Sequence, residues 1–141
     1  PTDIAVCTAA VSDFRPIFKN KQKLKKKISL DKIQLEQNPD ILEFLGKNNR
    51  HKPKLLVGFS AETENVVENS IEKMKEKHCD IIIANDVSKK DSGFNVDQNE
   101  IVIIYKNGDI QKVKKSSKKL IASIVTKKII NSFLDIKKRL N

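Results

Sequence analysis

Three short apolar segments, each followed by small and polar residues, constrain the fold of this chain more than any other feature of its sequence. They lie within residues 4–11, 54–59 and 80–84. A continuous apolar run is typical of a strand that is buried on both faces, as in a parallel sheet with helices on each side. The three segments therefore predict the parallel strands of an α/β domain.

Polar residues follow each of these predicted strands at its carboxyl end. In parallel sheets, ligands bind outside the carboxyl ends of the strands. We therefore expect the polar side chains to meet at one rim of the sheet and to form a functional site there. The residues concerned are Asp13, Ser60, Glu62, Asn85 and Asp86.

Two helices are predicted between the strands. Asn38-Pro39-Asp40 is a typical helix start, because Asn can cap, Pro suits the first helical position and Asp favours the positive helix end. Gly46 is expected to close this helix. Residues 63–78 repeat apolar residues at helical spacing and predict the second helix. Its inward-facing residues are expected to be Val66, Val67, Ile71 and Met74.

The C-terminal part of the chain predicts a hairpin followed by a long helix. Asn107-Gly108 is the strongest short hairpin signal, and it lies between extended segments at residues 101–105 and 109–113. A closing helix is predicted over residues 117–138. Its buried stripe is expected to consist of Leu120, Ile121, Ile124, Val125, Ile129, Phe133 and Leu134.

The order of these elements predicts an α/β fold whose mainly parallel sheet carries an antiparallel hairpin at its edge. Residues 15–29 are basic and irregular, so we expect a flexible flap there, with an extended segment over residues 28–36. No linker divides the chain, and residues 1–141 are expected to form a single domain. The first strand has no preceding helix to cover its second face. The N-terminal part of the domain is therefore expected to be missing.

Composition narrows the possible function classes. The net charge is +10, but only three of the 28 basic residues are arginines. Nucleic-acid recognition usually favours arginine, so we predict compositional bias and no nucleic-acid partner. No stretch of 18 apolar residues occurs, so we expect no contact with a membrane. Cys7 and Cys79 are expected to be small buried residues in a reducing compartment, which predicts a cytoplasmic location.

Specific phosphate-binding signatures are absent from the sequence. The glycines, at positions 46, 58, 93 and 108, form neither a dinucleotide-binding nor a P-loop motif. Lys73 and Lys77 share a helix face, and Lys23 begins a lysine-rich flap. From the residues alone, both features are more often solvated surface than anion sites. Phe59 is by default a core residue, with stacking on a base as the alternative. The histidines and cysteines lack metal-ligand spacing, so no metal-binding residue is predicted.

Several motifs occur in a fixed order over nearly the whole chain. They are Ala9-Ala10-Val11-Ser12-Asp13-Phe14-Arg15-Pro16, Lys23-Leu24-Lys25-Lys26, Asn38-Pro39-Asp40-Ile41, Val57-Gly58-Phe59-Ser60-Ala61-Glu62-Thr63, Ala84-Asn85-Asp86-Val87, and Gly93-Phe94-Asn95 with Asp97 and Asn99. Together they closely resemble the C-terminal two thirds of the phosphopantothenate–cysteine ligase domain, also called phosphopantothenoylcysteine synthetase. In bacteria that domain usually follows a flavin-dependent decarboxylase in one bifunctional coenzyme A biosynthesis protein.

The resemblance implies a three-layer Rossmann-like fold and a two-step ligation. CTP, with Mg²⁺ present, would activate the carboxylate of 4'-phosphopantothenate as an acyl-cytidylate and release pyrophosphate. The amine of cysteine would then attack the acyl carbon and release CMP. FMN is expected only if a decarboxylase domain precedes this one. The resemblance also implies a homodimer with its sites near the subunit interface.

Carried over by motif position, the resemblance also implies a set of nucleotide contacts. Lys23 would close over the phosphates as the catalytic clamp, with Lys25 and Lys26 as supporting charge. The full set implied for CTP is Asp13, Lys23, Asn38, Pro39, Asp40, Ile41, Phe59, Lys73 and Lys77.

One departure from the family pattern keeps other hypotheses open. The family's N-terminal third carries a Gly/Ser-rich segment with a catalytic asparagine, and residues 1–141 contain no counterpart. A fragment without that segment is expected to be catalytically defective, so a non-catalytic nucleotide-binding fragment is one alternative. A basic protein associated with nucleic acid is another, although scarce arginine and few interleaved aromatic residues argue against it.

Overall fold

The computed structural model describes residues 2–9, 11–18, 22, 32–48, 50–88 and 97–140. The chain divides into two compact units, one formed by Pro1–Thr8 with Leu42–Asn141 and the other by Ala9–Ile41. The single domain over residues 1–141 stays a prediction. The elements in chain order are β1 (Ile4–Cys7), β2 (Phe14–Pro16), β3 (Leu35–Gln37), α1 (Ile41–Lys47), β4 (Leu55–Glu62), α2 (Val66–Glu76), β5 (Ile81–Asp86), β6 (Gln98–Tyr105), β7 (Ile110–Ser117) and α3 (Lys118–Leu140).

A five-stranded mixed sheet forms the centre of the larger unit. Its strand order is β1-β4-β5-β6-β7. Strands β1, β4 and β5 are parallel, whereas β6 and β7 are antiparallel to their neighbours. The prediction of an α/β fold, with a parallel centre and an antiparallel hairpin at one edge, is therefore confirmed.

Helices cover both faces of this sheet and create two separate cores. On one face, the buried Ile121, Val125 and Ile129 of α3 pack with residues such as Val57 and Ile83. On the other face, Met74 of α2 packs with residues such as Leu56 and Ile82, and α1 adds partly buried leucines. Because alternate side chains of β4 and β5 enter opposite cores, the residues of these strands up to Ser60 and Ala84 are all apolar or small.

The ends of the elements differ from the sequence-based expectations. Strand β1 ends at Cys7 instead of residue 11, whereas β4 and β5 continue to Glu62 and Asp86. Helix α1 begins at Ile41, after the Asn38-Pro39-Asp40 sequence that was expected to contain its first turn. Part of the predicted flap, residues 19–21 and 23–29, lies outside the described residues, while β2 occupies Phe14–Pro16.

Backbone geometry fixes both ends of α2. Asn65, immediately before the helix, has a φ of 44° and makes no side-chain cap, so the helix begins at Val66 and not at residue 63. At the other end, His78 has a φ of 53°. The amide of Cys79 donates to the carbonyl of Met74 at 3.0 Å, and that of His78 to Lys75 at 3.3 Å. This Schellman arrangement ends the helix and turns the chain into β5.

The predicted hairpin is present, with a three-residue loop. The amides of Tyr105 and Gly108 both donate at 2.9 Å, to the carbonyls of Asp109 and Tyr105 respectively. Gly108 has a φ of +96°, whereas Asn107 does not have a positive φ. This pattern suits a turn followed by a left-handed glycine, because a two-residue Asn-Gly turn would need positive φ at both residues.

Helix α3 confirms only part of its predicted stripe. Ile121, Val125 and Ile129 are buried, with 7% of each exposed. The prediction was wrong for Leu120 and Leu134, which are 52% and 48% exposed. The buried residues of α3 recur at every fourth position, and both leucines lie beside this stripe. They are exposed because α3 contacts the sheet on one side only. No helix in the described part of the chain is long and apolar enough to cross a membrane.

Candidate functional site

The carboxyl ends of β4 and β5 bring together four of the five predicted rim residues. Ser60, Ala61 and Glu62 are the parallel partners of Ala84, Asn85 and Asp86. Glu62 and Asp86 therefore stand side by side on neighbouring strands. Because residues alternate along a strand, they face the α2 side of the sheet, and Asn85 faces the α3 side. The prediction that Ser60, Glu62, Asn85 and Asp86 share one rim is confirmed by this register.

Glu62 is held in place by neighbouring donors. The hydroxyl of Ser60, which is 2% exposed, donates to Glu62 Oε1. The amide of Asn69 on α2 lies 3.5 Å from Glu62 Oε2 and donates to the carbonyl of Glu64 at 3.0 Å. On the neighbouring strand, Asp86 Oδ1 accepts from the backbone amide and hydroxyl of Ser88, at 3.0 and 2.6 Å. The rim thus carries two oriented carboxylates that accept hydrogen bonds.

The two carboxylates show how the chain could bind the expected Mg²⁺. Among the described residues, no group of three or more His, Cys, Asp or Glu side chains could hold a metal. Mg²⁺ commonly binds one or two carboxylates together with substrate phosphates and water. The Glu62–Asp86 pair fits that mode, in which the ion arrives with a triphosphate, and it does not fit a resident metal held by the protein alone.

Phe59 lines a cavity on the α3 side of the sheet. The cavity has a volume of about 690 Å³, which is in the usual range for sites that bind small molecules. Phe59 is half-buried and packs beside the core of that face. Most of the lining is apolar, including Val6, Ile83 and Ile101, and Thr8, Asn99 and Lys118 add polar groups.

Lys73 and Lys77 lie on the opposite side of the sheet from Phe59. Both belong to the C-terminal end of α2, which packs with the second core, and α2 runs from the carboxyl end of β4 to the amino end of β5. Lys77 is thus distant along α2 from the rim that holds Glu62. Within the larger unit, the structure does not bring Phe59 together with the two lysines.

Lys77 is already engaged by carboxylates. Its ammonium group lies 3.0 Å from Glu43 of α1 and 2.7 Å from Glu76. Hydrogen bonds from Lys47 and Lys77 lower the pKa of Glu43 to about 2, because both stabilise its charged form. Sequence spacing shows the Glu43–Lys47 pair on one helix, whereas the Glu43–Lys77 contact depends on tertiary packing and gives no sequence signal.

Asp13 and Asn38 meet in the smaller unit. The backbone amide of Asn38 donates to the carbonyl of Asp13 at 2.8 Å. The Asn38 side chain donates to the carbonyl of Ser12 at 2.6 Å and accepts from Arg15 at 2.9 Å. Asn38 therefore ties together the two strands of this unit. Pro39, Asp40 and Ile41 follow it and are exposed.

The remaining expected residues lie outside the described part of the chain. These are Lys23, with Lys25 and Lys26, and the Gly93-Phe94-Asn95 motif. Asn69 and Arg15, by contrast, were not expected from the sequence. Each acts through a hydrogen bond to a predicted site residue outside its own element, and such a contact is visible only in the folded chain.

Comparison with known proteins identifies the family. The chain matches the model of the DNA/pantothenate metabolism flavoprotein C-terminal domain over residues 1–133. It belongs to this family. The order of its motifs and its mixed five-stranded sheet agree with that membership.

Individual relatives of the family match most of this chain. A cysteine/cysteine sulfinic acid decarboxylase from an unknown prokaryotic organism is 36% identical over 128 residues, or 91% of this chain. The coenzyme A biosynthesis bifunctional protein CoaBC of Bacillus subtilis (strain 168) is 38% identical over 107 residues, or 76% of this chain. The chain spans only 35% and 26% of the lengths of these two proteins.

A solved structure supports the same assignment. The crystal structure of the C-terminal domain of a coenzyme A biosynthesis bifunctional protein CoaBC superposes with a TM-score of 0.71 at 32% identity. The match covers 94% of this chain and 56% of that one. This chain therefore has the Rossmann-like fold that its resemblance to the ligase family implies.

Proposed function

We propose that this chain is part of a phosphopantothenate–cysteine ligase that acts in coenzyme A biosynthesis. The observation that carries the proposal is the family match over residues 1–133. The Bacillus subtilis relative and the solved C-terminal domain are both named CoaBC, which supports the proposal. The proposed reaction joins 4'-phosphopantothenate and cysteine, consumes CTP and gives 4'-phosphopantothenoylcysteine, CMP and pyrophosphate.

The chemistry of this reaction suits the charged groups of the chain. Activation by CTP concentrates negative charge on a triphosphate, and ammonium groups with a divalent ion neutralise it. Amide formation then requires a positioned amine and stabilisation of a tetrahedral oxyanion. In this proposal, Lys23 would contact the phosphates of the nucleotide. Mg²⁺ would accompany those phosphates, and the carboxylates of Glu62 and Asp86 would lie near the ion.

The other nucleotide contacts are part of the proposal. Phe59 would contact the nucleotide from the cavity on the α3 side, and Lys73 and Lys77 would act from α2. Because one chain places these residues on opposite sides of its sheet, a homodimer in which two chains share each site reconciles their roles. The remaining proposed contacts are Asp13, Asn38, Pro39, Asp40 and Ile41.

Two further features belong to the whole protein. We propose a fused flavin-dependent decarboxylase domain, which would bring FMN, because one relative is named a decarboxylase and the other a bifunctional protein. A cytoplasmic location and a preference for CTP over ATP stay predictions.

Pyrophosphate release by the full-length protein tests this function. We expect release from CTP only when 4'-phosphopantothenate is present, followed by a cysteine-dependent product. Equal rates with ATP would contradict the CTP preference, and no turnover with either nucleotide would contradict the ligase. Carbon dioxide release from cysteine sulfinic acid without pyrophosphate release would favour the activity named for the unknown prokaryotic relative.

A matched pair of lysine variants tests the phosphate clamp. Lys23→Gln is expected to slow pyrophosphate release by about 100-fold, the usual cost of removing one preorganised charge-stabilising group. Lys112→Gln makes the same charge change at an exposed position on β7 and should leave the rate unchanged. Equal rates for the two variants, with both folded by circular dichroism, would remove Lys23 from the mechanism.

A further inference from the structure

Glu62 and Asp86 place two carboxylates side by side at the rim of the sheet. They are register partners on the neighbouring parallel strands β4 and β5, so their side chains leave the same face. Like charges on neighbouring strands repel each other. Glu62 has a long side chain, and turning its carboxylate out into water would relieve the repulsion. A further group must therefore orient Glu62 if the two carboxylates are to act together.

Ser60 orients the side chain of Glu62. It lies two residues earlier on β4, and residues two apart on a strand point to the same face of the sheet. The hydroxyl of Ser60 donates to Glu62 Oε1. A hydrogen bond to an ionised oxygen is stronger than one between neutral groups. This bond therefore keeps one oxygen of Glu62 over its own strand.

Burial strengthens this hydrogen bond. Ser60 is 2% exposed and pairs with Ala84 of β5, so little water competes for its hydroxyl. A buried hydroxyl that lost its partner would be costly, which favours the orientation of Glu62 that satisfies it. Asn69 contributes less, because its side-chain amide lies 3.5 Å from Glu62 Oε2, at the outer limit of a hydrogen bond.

The surrounding backbone already fixes the positions from which the two carboxylates project. The amide of Val87 donates to the carbonyl of Glu62 at 2.9 Å, which ties the end of β4 to the residue after Asp86. The carboxylate of Asp86 is oriented by the amide and the hydroxyl of Ser88. The orientation of the Glu62 carboxylate therefore depends mainly on Ser60.

We propose that Ser60 is a positioning residue, which holds Glu62 in the orientation that the Glu62–Asp86 pair needs to receive Mg²⁺. The inference rests on the proposed function, in which that ion accompanies the phosphates of CTP. Ser60 acts through Glu62 and needs no contact with the ion or the nucleotide. Groups that orient metal-binding side chains in this way typically change metal affinity by about 10–100-fold when they are removed.

Metal binding measured without turnover tests the role of Ser60. Mn²⁺ takes the same oxygen ligands as Mg²⁺, and equilibrium dialysis measures its excess on the protein side when CTP is equal on both sides. In the full-length protein, Ser60→Ala is expected to weaken this binding by about 10-fold. Ser70→Ala is the matched control and should bind Mn²⁺ like the parent. Ser70 lies on α2 without exposed surface, and its hydroxyl has no hydrogen-bond partner among the described residues.

Two further variants separate positioning from a merely structural role. In a Glu62→Gln background, Ser60→Ala should change Mn²⁺ binding by less than about twofold, because two residues that act through one contact are not additive. Ser60→Cys keeps the volume of the side chain but offers only a weak donor, so it should also weaken binding. This variant keeps the inference testable if Ser60→Ala fails to fold.

Three results would overturn the role of Ser60. They are parent-like Mn²⁺ binding by folded Ser60→Ala or Ser60→Cys, an equal loss from Ser60→Ala with and without Glu62→Gln, and a parent protein that binds no Mn²⁺ beyond that held by free CTP. Pyrophosphate release by the parent in any of these cases leaves the ligase standing. The absence of turnover with either nucleotide contradicts the ligase whatever the binding result.

Discussion

Gly46 of α1 lies against the end of α2. A β-carbon at this position would lie 1.9 Å from the backbone oxygen of Lys77. Glycine in an exposed helix normally gains stability when replaced by alanine, by up to about 1 kcal/mol. Here the contact reverses the sign, because a backbone oxygen cannot move away without displacing the helix. We expect Gly46→Ala to lower the free energy of unfolding by about 2 kcal/mol or more, measured by urea titration.

Gly58 in β4 provides the matched control for this substitution. Its added β-carbon would lie 2.8 Å from Leu42 Cδ2 and 3.4 Å from Cys79 Sγ. The nearer atom is the flexible end of a half-buried side chain, so a rotamer change relieves most of the strain. Gly58→Ala should therefore cost about 1 kcal/mol or less. A larger loss for Gly58→Ala than for Gly46→Ala would contradict this account of the α1–α2 contact.

Residue roles were less predictable from sequence than residue positions. The resemblance placed Lys77 among the nucleotide contacts, but the sequence could not show that Glu43, 34 residues away, binds its ammonium group at 3.0 Å. Likewise, alternation along β4 puts Phe59 in one core and Ser60 toward the other. Motif order carries no information about which face of a sheet each member occupies.

At the scale of elements, the buried strands were the most predictable part of the fold. Their apolar runs follow from burial on both faces, and that condition leaves few other interpretations. Their ends were not predictable, because β4 and β5 continue into the polar rim through Glu62 and Asp86. Asn65 and His78, which set the limits of α2, adopt left-handed conformations that are uncommon outside glycine.

In helix α3, the buried stripe is narrower than the sequence predicted, because the helix packs on one side only. Ile121 is 7% exposed and Leu120 is 52% exposed, although they are adjacent in sequence. We expect Ile121→Ala to lower the free energy of unfolding by about 2–4 kcal/mol, since it leaves a cavity in the core. Leu120→Ala should change it by less than about 0.5 kcal/mol. Urea unfolding of both variants measures the difference, and similar losses would show that Leu120 is also covered.

For the whole molecule, the sequence predicted one sheet with one functional rim, and the structure adds a second compact unit. Four rim residues meet because parallel strands place their carboxyl ends together. Asp13 instead belongs to residues 9–41, which form their own unit around an antiparallel ribbon of strands β2 and β3. The short ribbon strands were hard to foresee, because their apolar residues alternate within a stretch whose lysines favour a flap.

The two units should differ strongly in local stability. The amides of β4 and β5 lie between two cores, and Leu56, Val57 and Ile82 have no exposed surface. None of the described residues in the 9–41 unit is buried. Opening free energies range from near zero in such segments up to the global value in a core, so ribbon amides should exchange at least about 100-fold faster.

Hydrogen exchange followed by mass spectrometry tests this difference. It should be run at a concentration low enough to keep the chain monomeric, comparing peptides that contain Ile17 and Asn38 with peptides from β4 and β5. The ribbon amides at these positions are hydrogen-bonded to Gln34 and Asp13, so hydrogen bonding alone would protect both sets. Equal protection in the monomer would show that the ribbon is packed within its own chain.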